Sequence, residues 1–318
     1  MRVLADLHHG DLFRSLRLLF ESRLGGQVFR PYGLDWFDEG WWSYPFHARD
    51  TAAQFLGTAY DHPGVTLDNF LDPHPHERAF DLMLSSTPEQ WYAWEAKRRE
   101  HGITIPHIFQ SGNDWVIPPD CRNLLNSTTL QAPPGCHAVY YHQEFSLKDY
   151  YRPGEAEKPG RVISSFMHYN PRSDFFYALE REMPDWIFRE YGAGGRDGQP
   201  ADLPWAMRAT RYLFHAKQTE GWGYNVHQAA ACGVPIFMRA AANKHQACGA
   251  LLTGPDRGVA STFLDLDDYT SPGHLADAIR RFDKDWEAHS RAIAGRFHEA
   301  VNFDAEAVRI KEWLTNLR

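Results

Sequence analysis

Residues 217–235 read KQTEGWGYNVHQAAACGVP, and their reading decides the fold. The β-prone run 212–216 precedes them, so the segment carries the chain out of a strand and into a helix. The first turn of that helix holds Gly221 and Gly223. Glycines there let backbone N–H groups approach a ligand closely, and a helix N-terminus attracts a diphosphate. The alanines 229–231 and Gly233 permit tight helix–sheet packing, and Pro235 opens the next strand. On these residues alone the segment is an anion site at a βα turn.

Working outward, the same alternation fills the second half of the chain. Residues 162–167, 186–191, 212–216 and 235–238 read as strands. Residues 173–182, 203–207, 222–232, 274–282 and 286–301 read as helices, and a last helix carries Ala307, Ile310, Leu314 and Leu317 on one face. A glycine-rich turn, 192–195, follows the second of these strands. The first half opens in the same way: strand 2–7, the turn His8-His9-Gly10-Asp11, a helix with Leu12, Leu16, Leu19 and Phe20 at helical spacing, and an extended run 27–30. Further strands are expected at 80–85, 105–109 and 138–141. Thr87 is read as an N-cap followed by Pro88 at the first helical position. Residues 32–60 are aromatic-rich without a clean period. The stretch 152–160, RPGEAEKPG, is the linker candidate. Two βα-alternating halves imply two Rossmann-like domains facing a cleft, with ligands beyond the carboxyl ends of the strands.

The segment 217–235 also resembles the donor-site motif of retaining GT-B glycosyltransferases: E-G-F/W-G, a second carboxylate eight residues after the first, then A-x-A-C-G-x-P. Glu220, Gly221, Trp222, Gly223, Ala229, Ala231, Cys232, Gly233 and Pro235 fit it. The second carboxylate is replaced by Gln228. The resemblance implies an α/β, GT-B protein: an acceptor domain over 1–155, a nucleotide-sugar domain over 156–301, and a helix over 302–318 that crosses back to the first domain. It implies transfer of a sugar from a nucleotide-diphosphate sugar to an acceptor hydroxyl with retention. In that reading Glu220 contacts the sugar and Lys217 neutralises phosphate. His227 and Gln228 lie on the ribose or pyrophosphate side, with Gly221, Trp222, Gly223 and Tyr224 completing the donor turn. Arg172, Arg208 and Gly192 are further donor-side candidates. Gln228 can still accept one hydrogen bond and donate another, so it alters donor preference or marks a site that has lost transfer activity.

On the acceptor side, His8, His9 and Asp11 follow the first strand. His9 and Asp11 are candidates for catalysis and His8 for acceptor contact, against a plain helix cap by Asp11. Ser86, Asn113 and Asp114 follow later strands and are acceptor candidates, while His142 and Glu144 lie just before the linker. The compact two-domain style is similar to phage glycosyltransferases that decorate hydroxymethylated DNA bases, so a 5-hydroxymethylated pyrimidine is the first acceptor to consider. Trp36, Phe37, Trp41, Trp42, Tyr44, Trp91, Tyr92 and Trp94 would then stack on bases or sugars, or else fill cores. A saccharide acceptor, an epimerase and a noncatalytic binder are the alternatives.

Composition bounds these readings. The 318 residues hold 33 basic and 41 acidic side chains, a net charge of −8, which argues against nonspecific coating of nucleic acid. The longest apolar stretch, 229–238, is too short for a membrane span, and the opening MRVLADLHHGD turns polar too early for a signal peptide. A cytoplasmic protein is therefore expected. The four cysteines form no CxxC pair and read as mostly buried free thiols. The 17 histidines show no metal-ligand spacing, and Asp265-Leu266-Asp267 is a chance DxD match, so no metal or other cofactor is expected beside the nucleotide sugar.

Overall fold

The computed structural model describes residues 1–7, 10–29, 80–112, 116–150, 159–167, 170–192, 194–218, 220–239, 243, 246–252 and 263–317. His8, His9, Asn113, Asp114 and the aromatics between 36 and 44 lie outside these residues. The chain divides into two units, Met1–Phe145 with Phe303–Arg318, and Ser146–Asn302.

The first unit is built on six strands: β1 (Arg2–Asp6), β2 (Gln27–Phe29), β3 (Leu82–Ser85), β4 (His107–Ser111), β5 (Asn123–Asn126) and β6 (His137–Tyr140). They pair in parallel in the order β2-β1-β3-β4-β5-β6, with Val3 opposite Leu82 and Phe109 opposite Leu124. A parallel sheet is covered on both faces, so alternate side chains enter different cores. Val3, Ala5, Leu82, Leu84, Ile108 and Leu125 pack with Leu12, Leu16 and Phe20 of the first helical segment. That segment is α1 (Gly10–Arg17), continued by a π-helical turn over Leu18–Arg23. Phe109 and Leu124 instead meet Trp91 of α2 (Pro88–His101).

Helix α2 starts as the sequence reading expects. Thr87 accepts a hydrogen bond from the Gln90 amide, the Gln90 side chain bonds back to the cap, and Pro88 occupies the first turn. The strand expected at 105–109 begins at His107, after Pro106. Proline has no N–H for the ladder, and Pro106 serves only as acceptor, for the amide of Met83.

The second unit has five parallel strands: β7 (Val162–Ser165), β8 (Ile187–Glu190), β9 (Tyr212–His215), β10 (Ile236–Met238) and β11 (Phe263–Asp265). Their order is β11-β10-β9-β7-β8. Its helices are α3 (Leu147–Tyr150), α4 (Ser173–Glu182), α5 (Leu203–Arg208), α6 (Tyr224–Ala231), α7 (Gly249–Leu252), α8 (Pro272–Phe282) and α9 (Trp286–Ala300). The strand order reverses at β7, whose neighbours are β8 on one side and β9 on the other. The carboxyl ends of β7 and β9 therefore flank the switch point where open α/β sheets bind ligands.

The division between the units falls at Phe145/Ser146, ahead of the linker read at 152–160. Helix α3 belongs to the second unit because its carbonyls are used there. Tyr150 accepts from the Cys232 thiol at 2.9 Å, and Asp149 accepts from Arg208. The last helix, α10 (Phe303–Leu314), lies in the first unit and buries Ile310 and Trp313 in its core. Arg23 bonds both carboxylate oxygens of Glu144, at 2.7 and 2.8 Å, and also Asp304. His142 pairs with Glu306 at 2.6 Å, and the Trp313 ring stacks on His137. Glu144 and His142, which lie just before the linker candidate, thus anchor the C-terminal helix.

Asp6, the last residue of β1, is 2% exposed and accepts from Gln90 Nε2 at 3.0 Å and Trp94 Nε1 at 2.9 Å. Burial pushes its carboxyl up to about 7, although the Trp94 bond pulls the other way. An unfolded Asp ionises near about 3.9. The folded state thus holds a proton that the unfolded state has lost, and stability falls as pH rises from about 4 to about 7. Asp6→Asn is expected to flatten that part of the profile, measured by urea unfolding at about pH 5, 6 and 7.

Candidate donor site

The site grows from the end of β9. Tyr212, Leu213 and Phe214 are fully buried, as a central parallel strand requires. The fourth residue is His215, 1% exposed. The chain then turns through Ala216 and Lys217 to Glu220, which is 8% exposed. His215 Nε2 lies 2.8 Å from Glu220 Oε1, and Lys217 Nζ lies 3.0 Å from the same oxygen. Burial would raise the Glu220 carboxyl, but the His215 hydrogen bond and the Lys217 charge outweigh it and hold it down at about 2. Glu220 is therefore a buried, ionised carboxylate at the switch point.

Gly223 makes the turn possible. Its φ is +80°, a left-handed conformation that costs other residues energy, and it directly precedes α6. A Cβ there would meet Cys248 Cβ at 3.4 Å and Sγ at 3.5 Å. Cys248 is itself buried, and burial together with the Glu220 charge pushes its thiol up to about 12. Asn225, in the first turn of α6, donates to the Phe166 carbonyl at 2.6 Å and so ties the helix to the end of β7. Asn243 donates to the Arg239 carbonyl at 2.8 Å and the Lys217 carbonyl at 3.4 Å, joining the ends of β10 and β9.

The sequence-predicted donor residues separate into distinct roles. Lys217, Glu220 and Gly223 come together as described. Trp222 and His227 also lie here, but their rings stack on each other at 3.7 Å, and each is 1% exposed. His227 Nδ1 is 3.0 Å from the Gly223 carbonyl, so this pair shapes the turn from within. Gln228 is 6% exposed, and its Oε1 has no hydrogen-bond partner among the described residues. Tyr224 is half-buried in the first turn of α6. Gly221 lies in the bend ahead of it.

Arg172 and Gly192 lie elsewhere on the carboxyl edge. Arg172 donates to the Leu266 carbonyl at 3.0 Å and stacks over Phe175 at 4.2 Å, holding the segment after β11. Gly192 belongs to a turn folded back on β8. There the Gly192 amide bonds the Gly198 carbonyl at 2.9 Å, and a Cβ on Gly195 would strike the Glu190 carbonyl oxygen at 2.3 Å. Close backbone approach explains these glycines. In the DxD-like stretch, Asp265 Oδ1 accepts from the Asp267 amide at 3.0 Å and Asp267 pairs with Arg239 at 2.8 Å. No group of three or more His, Cys, Asp or Glu suited to a metal occurs among the described residues.

In the first unit, Asp11 sits in the first turn of α1, paired with Arg14 at 3.0 Å. Ser86 is fully buried and bonds Gln90 Oε1 through its amide, at 3.1 Å. Ser85, His107 and Glu95 form a chain with spacings of 2.9 and 2.8 Å, which has the order of a hydrolytic triad. All of Ser85 is buried, and the Trp91 ring covers His107 at 4.0 Å. Burial pushes His107 down to about 4. The chain holds α2 on the sheet. Trp91 and Trp94, considered as stacking residues, are each 2% exposed and belong to this packing.

Comparison with known proteins agrees on the fold. No family model and no curated protein matches the sequence. Among solved structures, the chain is similar to HepE from Anabaena, solved in complex with UDP-glucose: TM-score 0.66, 15% identity, covering 100% of both chains. It is also similar to sucrose-phosphate synthase from Thermosynechococcus elongatus: TM-score 0.63, 11% identity, covering 99% of this chain and 98% of that one. The fold is the α/β fold of GT-B glycosyltransferases. No described helix is long and apolar enough to cross a membrane.

Gly223→Ala is expected to lower stability by about 1–2 kcal/mol, through the left-handed backbone and the contact with Cys248. Gly102→Ala, at φ +65° with nothing within 4 Å, isolates the backbone part and should cost about 1 kcal/mol. Urea unfolding of both variants measures the difference.

Proposed function

We propose that this protein is a glycosyltransferase that takes a hexose from a UDP-sugar and places it, with retention of configuration, on a hydroxyl of a saccharide acceptor. The observation that carries this reading is Glu220, a buried ionised carboxylate beside the left-handed Gly223 and the N-terminus of α6. The backbone N–H groups of that helix start favour the diphosphate. Lys217, half-exposed, adds positive charge where the leaving group accumulates negative charge. Glu220 accepts hydrogen bonds from the sugar hydroxyls. UDP-glucose is the first donor to test because HepE was solved with it. Retention rests on the resemblance of residues 217–235 to the retaining enzymes.

The acceptor reading rests on the carboxyl edge of the first sheet. Three of the loops that follow its strands, 86–87, 127–136 and 141–146, contain no Lys or Arg, although 30–79 holds Arg30, Arg49 and Arg78; DNA binding draws much of its affinity from such residues at phosphates. Among the described residues the edge carries amides and hydroxyls, the buried ones bonded to one another: Ser111 donates to Asn126 Oδ1 at 2.6 Å, and the Thr128 hydroxyl reaches the same oxygen at 2.9 Å. Neutral groups of this kind suit a polyhydroxyl acceptor. The burial of Trp91 and Trp94 also removes two rings from the base-stacking reading.

Calorimetric titration with UDP and UDP-glucose, followed by mass spectrometry of products from an oligosaccharide panel and from hydroxymethylated DNA, tests the proposal. Saccharide products whose anomeric configuration matches the donor by NMR are expected. Glu220→Gln should lower the transfer rate by about 10²–10³-fold. Transfer confined to DNA would replace the acceptor, and an epimerised donor or binding without turnover would replace the reaction. Absence of nucleotide binding would overturn the donor site itself.

A further inference from the structure

Among the described residues, four buried carboxylates end strands or follow them on the carboxyl edges, and they differ in what is left over for a ligand; Glu144 has both oxygens on Arg23. Asp6 has both oxygens occupied, Oδ1 by Gln90 and Oδ2 by Trp94. Glu190 likewise takes Asn170 and Ser173 on Oε1 and Tyr177 on Oε2. Glu220 is different. Among the described residues both of its donors, His215 Nε2 and Lys217 Nζ, go to Oε1. The Glu220 side chain keeps a tenth of its surface exposed.

His215 has no other polar task. Its Nδ1 is buried without a partner among the described residues, so the Glu220 bond is the imidazole's one hydrogen bond there. An imidazole in the strand Tyr-Leu-Phe-His costs desolvation that a further apolar side chain would not. Lys217 is 52% exposed, and an ion pair at such a site is weak and readily exchanged.

We propose that His215 is a positioning residue for donor-sugar recognition, pinning Glu220 Oε1 so that Oε2 alone is presented to a sugar hydroxyl. This rests on the donor-site reading above. Lys217 leaves Glu220 for the diphosphate when the donor binds, and His215 keeps the carboxylate in place. The sugar then meets a fixed acceptor oxygen and does not have to order a mobile Glu side chain.

The test compares UDP, which lacks the sugar, with UDP-glucose by calorimetry. In His215→Phe, an aromatic ring of similar shape without a donor, UDP-glucose affinity is expected to drop about tenfold while UDP affinity stays within about twofold. His215→Gln places an amide nitrogen at the Nε2 position and should recover affinity to within about threefold. His215→Asn reaches one bond less far and should not. The double variant His215→Phe/Glu220→Gln should be no weaker than Glu220→Gln alone, because both remove one device. Equal losses for UDP and UDP-glucose, full additivity in the double variant, or equal affinities of the Gln and Asn variants would each overturn the proposal. If His215→Phe fails to fold, the Gln–Asn comparison decides alone. Wild-type protein that binds neither ligand would sink the donor-site reading instead, and is thereby told apart.

Discussion

In a parallel sheet every strand delivers its last residue to the same edge, and both faces are needed for packing. Apolar side chains therefore fill the strand interiors, as in β3 and β9, where every position is buried. Polar chemistry is driven to the carboxyl edge. Both units obey this constraint. Asp6, Ser85 and Ser111 stand there in the first sheet, and Ser165, Glu190 and His215 in the second.

What separates a structural edge group from one available to a ligand is how its charge is settled. Asp6 is settled by holding its proton up to about pH 7, since burial outweighs the Trp94 hydrogen bond. Glu190 ionises more readily than an ordinary Glu: burial opposes this, but Tyr177, Ser173 and Asn170 together prevail. Those three donors come from α4 and the turn before it, so Glu190 serves to dock that helix. Glu220 is settled by a cation and an imidazole on a single oxygen. Burial alone would have nominated all three carboxylates; the partner count per oxygen nominates one.

Much of this was legible in the residues. The helix expected at 173–182 is α4 with the same limits, and the strand-to-helix reading of 212–232 puts Glu220 and Gly223 at the turn. Strand β5 was missed because Asn123-Leu124-Leu125-Asn126 is short and flanked by turn-formers. Its asparagines pair across the ladder instead, Asn123 with the His107 carbonyl at 3.1 Å and Asn126 with the Ser111 hydroxyl at 2.6 Å. Such a pairing depends on register and leaves no local signal. Strand β11, which ends on the first residue of the DxD match, was likewise missed. His215 was seen only as a strand residue; its significance appears when the turn folds Glu220 back over the strand's end. A polar residue closing an otherwise apolar strand was the available signal.

Gln228 is the departure from the donor motif that the structure helps explain. It lies two turns into the Glu220–α6 segment, 6% exposed, in a helix whose first turn is packed by Trp222 against His227. A carboxylate at that position would be a second buried negative charge in the same βα segment, and an ion left without a partner in such a place is costly. The cation paired with Glu220 is Lys217, while Arg172 and Arg239 are committed to the Leu266 carbonyl and to Asp267. An amide needs no counter-charge and still presents one acceptor oxygen, the Oε1 that has no partner among the described residues. In the donor site proposed above, Glu220 would then be the anionic group and Gln228 the neutral one.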